Sequence, residues 1–332
     1  MNSPANLAAL LEGFFSKRLI AQRRASLHTV ASYRDTFRLL LGFAEERCRC
    51  APSKLSLEQI NAPFVVAFLD QLERKRTNGA RSRNLRLAAI RSFFRYAALE
   101  APEHSALIQR VLAIPRKRHT RPLIDFLVRS EIEALLAAPD RQTWTGQRDH
   151  ALLLVAVQTG LRLSELTGLH QQDVSLGTGA HVRCVGKGRK ERATPLTKPA
   201  ASVVATWIRQ QGENSSAFLF PNPRGGRLSA DAIQRLVTRH VVAARTQCPS
   251  LAKKRVTPHV LRHTAAMELL QAGVDRALIA IWLGHESVET TQIYLDANLA
   301  LKEEILAKTR PIQTPPGRYR PGDRLLNFLK GL

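Results

Sequence analysis

Cysteine is scarce in this chain of 332 residues, and the four present do not pair. Cys48, Cys50, Cys184 and Cys248 are scattered. Cys48 and Cys50 stand too close together and have no downstream partners, so neither a disulfide framework nor a zinc spacing can be read. Incidental thiols in a reduced compartment are the expectation. Long apolar runs are also missing. No window approaches the ~20 apolar residues that span a bilayer. The opening MNSPANLAALLEGFFSKRL is interrupted by Glu12 and does not have the core of a secretory leader. A soluble, intracellular protein without membrane contact is therefore expected. No internal repeat is visible.

Acidic residues are the other shortage. Against 50 Lys+Arg stand only 27 Asp+Glu, a formal net charge of +23. A field of that size draws polyanions; nucleic acid is the expected partner, ahead of an anionic membrane or an acidic protein. Residues 1–118 carry +12 and the longer remainder +11, so the N-terminal part is the more densely basic. That suits a body that grips backbone phosphates rather than one that performs chemistry.

With 44% hydrophobic residues the chain is long and apolar enough to bury two cores. Helical spacing appears in the first third at Leu7, Leu10, Leu11 and Phe14. It recurs at Val30, Tyr33, Phe37, Leu40 and Leu41, then at Phe64, Val65, Phe68 and Leu69 behind Pro63. A fourth helix, RSRNLRLAAIRSFFRYAA, sets Leu85, Ala89, Phe93 and Tyr96 on one side. Arg81, Arg83, Arg86, Arg91 and Arg95 fill much of the rest. These arginines are read as phosphate contacts, with an ordinary solvated helix face as the rival. Prolines and a basic run without periodicity mark residues 114–124 as a linker. Beyond it, Ser130 to Glu133 has capping-box spacing. ALLLVAVQT is a buried helix ending at Gly160, and a short helix follows from Leu163 to Leu169. Residues 180–196 read as strand, glycine turn and strand. Ser229 caps a helix with apolar Ile233, Leu236, Val237 and Val241. The fold class is thus mainly α with a small antiparallel sheet in the C-terminal domain.

Six residues of the C-terminal part stand out: Arg162, Lys187, His259, Arg262, His285 and Tyr294. Fixed cations, proton-transfer groups and a phenol together suit attack on a phosphodiester without a metal. Two Arg forks would hold non-bridging oxygens, a Lys or His would protonate the leaving oxygen, and Tyr would join phosphorus covalently. Each residue also has a plain reading. Arg162 can pair with Glu165. Lys187, between Gly186 and Gly188, can be an ordinary basic turn; Lys190 is its alternate. Tyr294 alone is more often a core residue, and its phenol needs neighbouring cations to ionise. Thr257 and Pro258 set His259 in the first turn of a helix that also carries Arg262. There, free backbone N–H groups favour an anion. His259 and His263 have zinc-helix spacing with His285 as a third ligand, but Val260 stands where the metal-assisted base would be. HTAAMELLQAGVDRALIAIWL can also form a helix–turn–helix.

The ordered strings TGLRLSEL, VGKGRK, TPHVLRHT, WLGHES and TTQIYL resemble those of the tyrosine recombinase (phage integrase) family. LHTVASYRDTFRLLLGFAEE and RSRNLRLAAIRSFFRYAA are similar to its core-binding domain. The resemblance implies a helical, SAM-like core-binding domain over 1–113 and a catalytic tyrosine-recombinase domain over 125–310. A basic tail over 311–332 follows. It implies that Tyr294 attacks the scissile phosphate and leaves a 3′-phosphotyrosyl bond with a free 5′ hydroxyl. Arg162 and Arg262 would stabilise the phosphorane, Lys187 serve as general acid, His259 as general acid/base, and His285 hydrogen-bond a phosphate oxygen. Arg81, Arg83, Arg86, Arg91 and Lys190 would contact DNA. The implied partner is double-stranded DNA, held as two sites by a homotetramer, or by a hetero-oligomer with related recombinases, through a Holliday junction. Neither cofactor nor metal is called for, and the implied location is a bacterial cytoplasm at the nucleoid. Tyr294 is followed by Leu295-Asp296-Ala297-Asn298, unlike close relatives of the chromosome-dimer resolvases. With the long basic tail, this favours a mobile-element recombinase that integrates, excises or transposes. A type IB topoisomerase would share the chemistry, and a non-catalytic helix–turn–helix regulator would share only the binding.

Overall fold

The computed structural model describes residues 6–76, 79–120, 124–186, 190–212 and 217–285, together with positions 291 and 294. The chain divides into two compact units, 1–121 and 122–332. No helix among the described residues is long and apolar enough to cross a membrane.

The first unit is helical. Helix α1 (Leu7–Gly13) is capped by the Asn6 side chain, which accepts the Ala8 N–H at 2.9 Å, and it runs on into a wider π-helical stretch over Phe14–Gln22. Gly13 lies where a Cβ would come within 2.5 Å of the Tyr96 hydroxyl, so a side chain here would have to displace that ring. Helices α2 (Leu27–Cys48), α3 (Ala62–Arg76) and α4 (Ala80–Glu100) follow. Phe14, Phe37 and Phe93 pack edge to face, 5.3–6.1 Å between ring centres, at the middle of their shared core. A further helix, α5 (Ser105–Leu112), buries Ile108 and Val111, so the expected set of four is incomplete. Leu85, expected on the apolar side of α4, is 63% exposed. Ala89, Phe93 and Tyr96 are buried as expected, and the buried face extends through Arg83, Leu87, Ile90 and Phe94 at helical spacing. Part of the expected linker is also held down. Asn84 exchanges hydrogen bonds with the Lys117 main chain at 2.8 and 3.0 Å, and Arg83 and Arg91 reach the carbonyls of Pro115 and Ile114.

The second unit is built around α7 (Trp144–Thr159), the apolar run seen in sequence, whose Leu152, Leu153 and Val155 are wholly enclosed. Helix α6 (Arg129–Ala137) precedes it. Its start lies one residue before Ser130, because the Glu131 carboxylate accepts the Val128 N–H at 2.9 Å and closes the first turn from within. After α7 come α8 (Leu163–Gly168) and a sheet of three antiparallel strands, β1 (Val174–Ser175), β2 (His181–Val185) and β3 (Glu191–Pro195), in the order β1-β2-β3. The hairpin was legible; two-residue β1 was not, since so short a strand carries no periodicity. Helices α9 (Lys198–Gln211), α10 (Ala230–Ala244), α11 (Pro258–Gln271) and α12 (Arg276–Leu283) follow among the described residues. Ser229 and Thr257 cap α10 and α11 as their sequences suggest. Helices α11 and α12 have a helix–turn–helix outline, with Gly273 at φ +79° in the turn. Yet α12 turns Leu278 and Ile281 outward, 59% and 70% exposed, where a base-reading helix would present hydrogen-bonding groups.

Candidate active site

Helix α7 ends at Gly160 in the left-handed conformation, φ +62°. A Cβ there would lie 2.6 Å from Leu283 Cδ2, so glycine serves both the torsion and the close approach of α12. The chain then extends through Arg162, the residue that opens α8. Arg162 donates its backbone N–H to Glu165 Oε2 at 2.7 Å and Nη1 to Oε1 at 3.0 Å, so the pairing expected in sequence is present. Its Nη2 donates to the Gly284 carbonyl at 2.6 Å.

Glu165 has a second cation that sequence reading did not find. Arg192 on β3 forks onto both carboxylate oxygens at 2.9 and 2.7 Å and gives Nε to the Trp282 carbonyl at 3.2 Å. Burial pushes the Glu165 carboxyl up, but the bonds from Arg192 and from the Arg162 backbone and side chain outweigh it and hold the group below its ordinary value. The base of the β2–β3 hairpin lies on this pair: a Cβ on Gly186 would be 3.2 Å from Arg192 Nη1 and 3.3 Å from Glu165 Oε1. Lys187, expected in the turn of this hairpin, lies outside the described residues. Lys190 is exposed, and its carbonyl accepts the Gly186 N–H at 2.8 Å.

Arg262 is buried on α11 and donates to main chain, Nη1 to the Gly160 carbonyl at 2.6 Å and Nη2 to the Leu283 carbonyl at 2.7 Å. Burial first, and then repulsion from Arg162, pushes it down to about 10. Two guanidiniums that repel each other in a partly dry site make a place where an oxyanion is strongly favoured. His259 is exposed one turn earlier, its ring edge-on to that of His263 with centres 4.3 Å apart. His285 follows Gly284, itself at φ +64°, and its Nδ1 is 3.0 Å from Thr291 Oγ1.

Tyr294 lies with its ring parallel to His285, centres 6.2 Å apart, and its hydroxyl 3.1 Å from His263 Nδ1. It is 1% exposed. Sequence reasoning looked to the two arginines to ease ionisation of the phenol. They do act in that direction, but burial outweighs them, and the group is pushed up to about 12. In this state Tyr294 is a protonated, enclosed hydroxyl. Its contact His263 was noticed in sequence only for its zinc spacing; a tie across 31 residues leaves no local signal.

Of the arginines expected to meet DNA, three are committed to their own unit. Arg83 is 4% exposed, between Glu73 at 3.8 Å and the Pro115 carbonyl. Arg86 donates to Thr36 Oγ1 at 2.9 Å, and half-buried Arg91 to the Ile114 carbonyl. Their place on or beside the buried stripe of α4 turns the forks inward. Arg81 is exposed.

His263 and His285 are each pushed down to about 4, by burial first and then by surrounding cations. Both rings are therefore neutral near pH 7, whereas in the unfolded chain they titrate near 6.5. As pH falls the unfolded chain takes up protons first. Stability present above about pH 6.5 is thus expected to decline down to about pH 4, by up to about 1.4 kcal/mol per pH unit for each ring. Urea titrations at several pH values check this; a flat profile between about pH 7 and 5 would show that the rings are not enclosed as neutral groups.

Residues 125–300 match the model of the phage integrase family, and residues 12–101 that of the phage integrase N-terminal SAM-like domain. A Sinorhizobium fredii protein carrying the provisional name integrase/recombinase y4rC is 61% identical over 332 residues, the full length of both chains. The tyrosine recombinase XerD of Vibrio cholerae is 34% identical, covering 82% of this chain and 87% of that one. Among solved structures, the XerH site-specific recombinase in a post-cleavage complex with a palindromic difH substrate superposes with a TM-score of 0.70 at 22% identity, over 93% of this chain and 91% of that one. The last likeness is one of fold.

Proposed function

This chain belongs to the phage integrase family of DNA-cleaving and rejoining tyrosine recombinases, and from that premise we propose that Tyr294 is its nucleophile and Arg162 and Arg262 its phosphate clamp. The observation that carries the reading is the convergence on one turn. Arg162 and Arg262 both donate to carbonyls at Leu283 and Gly284, the turn that leads into His285, and Tyr294 packs against the His285 ring.

In the proposed cycle the Tyr294 oxygen bonds to the scissile phosphorus as the bond from phosphorus to the 5′ oxygen breaks. The two guanidiniums, fixed in advance, meet charge that develops on the non-bridging oxygens. Lys187 supplies the proton that the leaving 5′ oxygen takes up, with Lys190 as the alternate. His259, exposed at the first turn of α11, serves as acid/base, and His285 hydrogen-bonds a phosphate oxygen. The 3′-phosphotyrosyl bond preserves the phosphodiester for rejoining, so neither a nucleotide nor a metal enters. Exchange between two DNA sites would proceed in a homotetramer through a Holliday junction, the assembly in which lambda integrase, similar in fold, has been solved. Integration, excision or transposition of a mobile element is the proposed role. It is supported by the 61% likeness to an integrase/recombinase against 34% to XerD.

The test is covalent capture. Purified protein is incubated in EDTA with a library of the DNA that flanks its own gene, then quenched with detergent, and the attached DNA is sequenced. Adducts joined at a 3′ end, unchanged by the chelator, are expected. Cleavage that disappears in EDTA, or DNA bound without any adduct, would overturn the reading.

A further inference from the structure

Resting on the reading of Tyr294 as nucleophile, we infer that His263 is a positioning residue that holds the phenolic oxygen in register with the phosphate clamp. His263 adjoins Arg262 on α11, 8% exposed, and its Nδ1 lies 3.1 Å from the Tyr294 hydroxyl. Its ring meets the Tyr294 ring edge-on, centres 5.5 Å apart, while His285 stacks on the tyrosine at 6.2 Å. The tyrosine is thus gripped from two elements, and its one polar atom is tied to the helix that bears a clamp arginine.

On the tyrosine's side the surroundings are apolar: Ala266, Met267, Leu270, Ile279 and Leu283 form the small core in which Tyr294 sits, while His263 also meets the His259 ring at 4.3 Å between centres. A leucine at position 263 would fill such a place. The imidazole supplies a partner to a buried hydroxyl that would be costly to leave without one. The consequence is directional. A phenol is free to swing about its side-chain torsions, and a hydrogen bond to a rigid buried helix restricts the oxygen to an arc fixed relative to Arg262. Reaction rates fall by about 100-fold when a reacting atom is misplaced by ~1 Å, so a tie of this kind acts on rate rather than on DNA affinity.

Two variants and two readouts test it. His263→Leu keeps the packing and removes the bond; His263→Asn restores a polar atom at the distance of Nδ1. In the DNA-free protein, tyrosine labelled with 13C at Cζ reports on the hydroxyl, its Tyr294 signal assigned with Tyr294→Phe. On a nicked duplex carrying the captured site, single-turnover adduct formation reports on the chemistry. We expect the Leu variant to displace the Cζ signal and to slow adduct formation about 100-fold, with DNA affinity held within about twofold. The Asn variant should recover most of both. A Cζ signal and an adduct rate indifferent to the Leu change would overturn the inference. So would equal losses in the Leu and Asn variants, since those mark a packing role. Should Leu lower the melting temperature, the Asn variant alone decides. A wild-type protein that forms no adduct while its Cζ signal responds to the Leu change would instead sink the nucleophile assignment on which this rests.

Discussion

Tyr294→Phe is expected to abolish covalent capture while leaving DNA binding intact. With Tyr294 as the proposed nucleophile, removing its oxygen removes the atom that joins phosphorus, so adduct formation should drop by on the order of 10⁴-fold or more. The ring itself fits. Tyr294 is 1% exposed against apolar neighbours, and phenylalanine keeps that packing while giving up one hydrogen bond to His263, worth about 1 kcal/mol. Affinity for DNA comes chiefly from phosphate contacts spread over a chain of +23, to which a neutral buried phenol adds little. Adduct on denaturing gels and affinity by mobility shift, measured side by side, should therefore separate cleanly. Adduct from the Phe variant would move the nucleophile to Tyr33, Tyr96 or Tyr319, the chain's other tyrosines.

Glu165→Gln should have the largest effect on stability. The Glu165 carboxylate is enclosed, its side chain 3% exposed, and it neutralises Arg192 and Arg162, whose side chains are 11% and 29% exposed. A glutamine keeps the shape but leaves two guanidiniums facing each other in a site that Arg262 already makes positive. Breaking a buried pair in this way costs about 3–5 kcal/mol. The catalytic unit should unfold at correspondingly lower urea, and adduct formation should fall with it because Arg162 loses its orienting partner. The double variant Glu165→Gln/Arg192→Gln should recover part of the loss, since it leaves less charge uncompensated. A single variant within about 1 kcal/mol of wild type would show that the network is dispensable.

What could be read in sequence and what could not divides along the range of the interaction. Thr257 and Ser229 were legible as caps because a cap is settled within four residues, and Gly160 as a helix end for the same reason. The arginines of α4 were legible as charge but not as direction. Arg83 lies in line with Leu87, Ile90 and Phe94, so its inward turn was present in the spacing, masked by the habit of treating arginine as surface. Arg192 and His263 were not legible as members of the site. Arg192 meets its carboxylate 27 residues away, and His263 its hydroxyl 31 residues away, and neither separation leaves a periodic trace. The order of the boxes pointed to the chemistry, whereas the protonation state of Tyr294 depended on how deeply the fold encloses it.

Beside the Glu165 carboxylate that also holds Arg162, both proposed clamp arginines are mounted on peptide carbonyls, those of Gly160, Leu283 and Gly284. Such a mounting has no sequence of its own. Drift at these positions is filtered by torsion angle and bulk: the two glycines are confined by their left-handed geometry, while Leu283 is answerable only to the core. The carbonyl part of the fixture that aims the cations is therefore inherited as a backbone shape, whereas Glu165 is a side chain whose replacement is expected to re-aim Arg162.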